Sequence, residues 1–126
     1  MTAEEILKVI KENENEYEFF GIRGWNEQYQ IGEVLPESVE WDYEYDQPTD
    51  NEVGGTCTTL IDFYQGVDED EEIIEAIEKA LEIQDRCYCY SNLYLIGSNN
   101  RNPYNAYEAD EDEAILADAT VIATIK

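Results

Sequence analysis

The chain has 126 residues, enough for one domain and too few for two comfortable ones. Its 43% apolar fraction excludes a disordered acidic tail, while 31 acidic against 7 basic residues give a net charge of -24. There is no histidine, so the commonest general base and the commonest metal ligand are both absent.

The N-terminal stretch AEEILKVIKENE is predicted as a short helix, with Ile6, Leu7 and Ile10 on one face, Thr2 as cap and acids in the first turn. YEFFGIRG reads as a strand ending at Gly24, and EQYQIGEVL as a second strand with Gly32 as a bulge or bend and Pro36 as its stop. Residues 40–46 alternate acid and aromatic, as a strand or extended edge would. QPTDNEVGG carries turn chemistry throughout. TCTTLIDFY, β-branched and aromatic, is predicted as a central strand. The strongest helix signal follows in DEDEEIIEAIEKALEIQDRCYCY, with Ile73, Ile74, Ile77, Ala80 and Leu81 on one face. NLYLIG is a short apolar strand, SNNRNPYNAYEADEDE a long loop, and ILADATVIATIK a closing strand bent near Asp118. The order αβββαββ predicts a single α+β domain over residues 1–126, with two helices beside an antiparallel or mixed sheet of about five strands.

Solubility alone asks for a net charge of about 2 to 8 in a small domain, so the excess points to charge as the working part. A halophile's solvated surface is the plainer explanation, but here the acids cluster. No Lys or Arg lies between Arg23 and Lys79, or between Arg101 and Lys126. If residues 40–46 form one strand, Glu40, Asp42, Glu44 and Asp46 share a face at about 7 Å spacing, a row about 20 Å long. Such a row is comparable to the single-sign charge of a nucleic-acid backbone. Trp41, Tyr43 and Tyr45 then point the other way, toward the core or an interface. The same charges would also protect an exposed edge from aggregation, and the two roles are compatible.

The remaining motifs are weaker. DEDEE at 68–72 lacks the glycine and twelfth-position Glu of a calcium loop and fits helix N-terminal acids. EADEDE at 108–113 has the same two readings. VGGTCTT has the glycines of a phosphate loop without its Lys, and GSNNRNPYN, with its lone Arg101, reads as a long turn more readily than as an anion site. Cys87-Tyr88-Cys89 lacks zinc-site spacing and companions, and with Cys57 the three thiols leave an odd one, which fits a reducing cytoplasm better than a disulfide framework. No pair of carboxylates stands out for glycosidase chemistry. The N-terminus is charged throughout, unlike a signal peptide, and no apolar run has the length of a membrane span.

The succession IRGWNEQYQIGEVLPESVEWDYE, then GGTC, a helix, NLYLIGS and ADATVIATI resembles small acidic proteins of phage and Firmicutes mobile elements. Some of these are similar to type II anti-CRISPR inhibitors. The resemblance implies inhibition of an RNA-guided nuclease by occupying the basic surfaces that hold guide or target nucleic acid. It carries over no residue beyond the acidic cluster.

The expectation is therefore an acidic binding inhibitor, not an enzyme, in the cytoplasm of a bacterial host. Its partner is a basic nucleic-acid-handling protein, a CRISPR-associated nuclease; no cofactor, metal, membrane or direct nucleic-acid contact is expected. Partner-binding residues are Glu40, Trp41, Asp42, Tyr43, Glu44, Tyr45, Asp46, Asp50, Glu52, Asp68, Glu69, Asp70, Glu108, Asp110, Glu111 and Asp112. The exposed edge at 40–46 would allow a homodimer. An immunity protein covering a basic toxin is the alternative, since it too would be acidic. A nucleotide-sequestering protein fits poorly, because its ligand would be anionic.

Overall fold

A computed structural model describes residues 1–25, 28–34, 39–42, 47–50, 58–87, 92–101, 116–117 and 119–126. Helix α1 runs Ala3–Asn13. Thr2 begins it with a reciprocal cap: the Glu5 amide donates to Thr2 Oγ1 at 3.2 Å, and the Thr2 amide donates to Glu5 Oε1 at 3.0 Å. Ile6, Leu7 and Ile10 are the buried face, as their spacing predicts.

Strand β1 (Phe19–Trp25) lies between β4 (Thr58–Leu60) and β5 (Asn92–Ser98), and β8 (Thr120–Thr124) pairs with the far side of β5. Every pairing in this sheet, order β4-β1-β5-β8, is antiparallel. Helix α2 (Asp70–Cys87) links β4 to β5, so the chain crosses the sheet over β1. The arrangement is α+β, with two helices beside a four-stranded antiparallel sheet, close to the predicted two helices and about five strands.

Strand alternation divides the interior into two layers. Phe20, Ile22, Leu95 and Ala123 face Ile6, Ile10, Ile73, Ile77 and Ala80 of the helices. Leu60, Tyr94, Ile96 and Val121 face the opposite way and pack with Phe19 and Tyr29. The register between β5 and β8 slips at Leu95/Ile96: Leu95 opposes Ala123 and Ile96 opposes Val121, leaving Ile122 as the extra residue of a bulge. The bulge lets Val121 serve one layer and Ile122 and Ala123 the other. Gly97 sits beneath this point; a Cβ there would lie 2.7 Å from Ile122 Cδ1 and 2.7 Å from Tyr17 Cγ. Gln84 is buried and donates to the Ile22 carbonyl at 3.0 Å and to Thr59 Oγ1 at 2.9 Å.

Several sequence expectations are corrected. The segment 28–34 is not a strand: Gly32 has φ +91, and the Glu33 amide closes a turn on the Gln30 carbonyl. Only Val34 makes a bridge, to Thr120, while Gly32 and Glu33 bond the backbone of Val121 and cover the outer edge of β8. The expected central strand, β4, is short and lies at the end of the sheet order; β1 and β5 are central. Gln47–Asp50, read as turn, is strand β3, paired antiparallel with β2 (Val39–Asp42). Pro48 is tolerated because a two-stranded ribbon is all edge. Part of the long loop and of the closing segment also pairs: β6 (Asn100–Arg101) meets β7 (Leu116–Ala117).

Candidate acidic interface

Of the predicted row at 40–46, residues 40–42 lie in β2, and Asp42 pairs with Gln47 across the antiparallel β2–β3 ribbon. Glu40 and Asp42 keep strand positions, opposite Thr49 and Gln47, and Asp50 pairs with Val39. Trp41 lies opposite Pro48. Tyr43, Glu44, Tyr45, Asp46, Glu52, Glu108, Asp110, Glu111 and Asp112 lie outside the described residues.

The acids at 68–70 have local structural contacts. The Asp68 carboxylate accepts the Tyr64 amide at 2.8 Å and so closes the loop before α2. The Glu69 carbonyl accepts the first helical bonds, from Glu72 and Ile73. Asp70 pairs with Lys11 of α1 at 2.6 Å, and its carboxylate raises the Lys11 ammonium pKa. This pair is exposed at both ends, so it registers the two helices more than it stabilises them.

A longer acidic feature lies on α2 itself. Its core face is Ile73, Ile77, Ala80 and Gln84. Opposite that face stand Glu71, Glu75, Glu78, Glu82 and Asp85, all exposed, at alternating spacings of four and three residues. At about 100° per residue they fall within an arc of about 80°, and at about 1.5 Å rise they span about 21 Å. Among the described residues, no ion pair joins these five carboxylates to a cation. Lys79 lies at the margin of the stripe rather than in it.

Helix stability does not account for this stripe. Acids favour the first turn, where Asp70, Glu71 and Glu72 stand, and disfavour the last turns, where Glu82 and Asp85 stand. Like charges three and four apart destabilise a helix by about 0.2–0.5 kcal/mol per pair. An ordinary solvated face would interleave Lys or Arg at these positions. The sequence signal was present in the spacing 71, 75, 78, 82, 85; it is hidden there because polar positions of an amphipathic helix are usually read only as the complement of the core.

The described structure offers no comparable chemical constellation. Among the described residues, no group of three or more potential ligand side chains is placed to hold a metal ion, and no helix is long and apolar enough to cross a membrane. Compared with family models, curated proteins and solved structures, the chain matches none.

Proposed function

We propose that this protein is a binding inhibitor whose acidic surfaces occupy the nucleic-acid-binding channel of a basic bacterial defence nuclease, of the RNA-guided, CRISPR-associated kind. The observation that carries this reading is the α2 stripe: five exposed carboxylates in line on one helix, continuing past the first turn, where the dipole favours acids, to Glu82 and Asp85 near its end, where it does not. A nuclease channel holds its guide and target through cations aligned to a line of phosphates. The stripe presents such a line without bases, on a helix braced by the core, and the net charge of -24 steers the encounter. Inhibition follows by competition, in the host cytoplasm, with no bond made or broken.

The test is a titration of DNA cleavage by a type II RNA-guided nuclease, with the protein added before the guide and, separately, after it. The reading expects complete inhibition near one equivalent and relief by excess competing nucleic acid. Inactivation at a small fraction of an equivalent would reveal turnover and contradict it, as would full cleavage at saturating protein.

A further inference from the structure

We infer that the groove beside the loop 61–68 is an anchor for an arginine side chain of a basic protein partner. The groove, about 540 Å³, runs between the start of β1, the end of β4 and that loop. It is lined by apolar residues from both faces of the sheet edge, Phe19 and Leu60 of one layer and Phe63 of the other, together with Glu18, Asp62 and Tyr64. Among the described residues, no Lys or Arg lines it. Lys79 lines a smaller adjoining pocket that also has Asp62 in its wall.

Two side chains at its mouth are unusual for their exposure: Tyr64 is 71% and Val67 77% exposed. The loop that holds them is tightly bonded. The Tyr64 amide donates to Asp68 Oδ2 at 2.8 Å, and the Tyr64 carbonyl accepts from the amides of Val67 and Asp68 at 3.2 and 3.0 Å. Gly66 supplies the positive φ of +77 that the turn needs. Gln65 Nε2 donates to the Tyr17 and Glu18 carbonyls, at 2.7 and 3.2 Å, and ties the loop to the sheet. The backbone that carries Tyr64 is therefore fixed by the fold, which lowers the ordering cost of using this side chain as an anchor.

The chemistry selects the occupant. An aromatic face attracts a cation, apolar lining accepts a methylene stem, and carboxylates of exposed lining residues receive N–H donors. Arginine satisfies all three, because its guanidinium stacks on aromatic rings, forks onto carboxylates and is weakly hydrated. Lysine offers only the charge and the stem. The inference takes from the proposed function only the sign of the partner's charge, and its location is separate from the α2 stripe.

Calorimetry with hexaarginine and hexalysine peptides at physiological salt distinguishes the two sites. The wild-type protein should bind hexaarginine about threefold or more tightly than hexalysine. Tyr64→Ala should bring the ratio close to one, Tyr64→Phe should keep it, and Asp68→Ala, which removes the carboxylate that closes the loop on the Tyr64 amide, should lower it. Neutralising the five stripe acids should weaken both peptides alike and leave the ratio intact. Equal binding of the two peptides to wild type, or a ratio unchanged in Tyr64→Ala, overturns the inference while leaving the stripe untouched. Sedimentation showing a dimer that Tyr64→Ala dissolves would give the groove to a second copy and overturns it as well.

Discussion

Gly97 shows how closely the interior constrains single positions. Its missing Cβ makes room for the Tyr17 ring and the bulged Ile122, both within 2.7 Å of where that carbon would be. Gly97→Ala should therefore destabilise by about 1–3 kcal/mol, measured by denaturant unfolding, despite adding one methyl group to a strand. Thr2 and Glu5 give a second test at this scale. The Glu5 carboxyl is held below its ordinary 4.5, first by the Thr2 amide and then by the Thr2 hydroxyl. A lowered folded pKa means that its contribution is present above 4.5 and is lost as pH falls through the lower value. In an acid titration followed by NMR, the Thr2 amide resonance should move with a midpoint below 4.5; a midpoint at or above 4.5 contradicts the capping geometry. The cap was legible in the sequence, since Thr2 precedes the apolar period of α1. Gln84 was not. It sits on the buried face of α2, where a sequence pattern expects an apolar residue, and only the position of Thr59 and the Ile22 carbonyl explains it.

Elements were legible where their period was unbroken. The apolar stripes of α1 and α2 and the runs FFGIRG and NLYLIG lead directly to the helices and the two central strands. The failures have a common cause, the context outside the segment. EQYQIGEVL has strand composition, yet Gly32 turns it and its backbone bonds cover β8 instead. QPTD has turn composition, yet an edge-only ribbon accepts its proline. The acid–aromatic alternation at 40–46 was the visible charge pattern, and of it residues 40–42 lie in a described strand, β2. A row described along its whole length is on α2, where helix spacing disguises it. Replacing Glu71, Glu75, Glu78 and Glu82 by Gln, and Asp85 by Asn, removes four like-charge neighbours at three- and four-residue spacing. Thermal melting should show stability unchanged or raised by about 1 kcal/mol, with the loss of Glu75 and Glu82, four residues before Lys79 and Arg86, offsetting part of the gain. A marked drop would mean that the stripe is a structural feature.

For the whole molecule, charge opposes folding and, under the proposed function, favours encounter with a basic partner. A net charge of -24 repels itself across a domain whose core is two helices on a four-stranded sheet. Added salt screens exposed charges beyond about 8 Å at physiological strength. Raising sodium chloride from low to physiological levels should therefore raise the melting temperature of the free protein. The same change should slow its association with a basic nuclease, because steering is lost. Melting and association that respond to salt in the same direction would not fit a protein whose repulsion is internal and whose attraction is to a partner. The most direct measurement is the inhibition constant for DNA cleavage by a type II RNA-guided nuclease, wild type against the five-fold neutralised α2 variant. The proposed function predicts a loss of about a hundredfold or more, since several aligned charges would then contact the channel together, with the variant still folded. An unchanged inhibition constant would contradict the assignment of the α2 face as the surface that replaces nucleic acid.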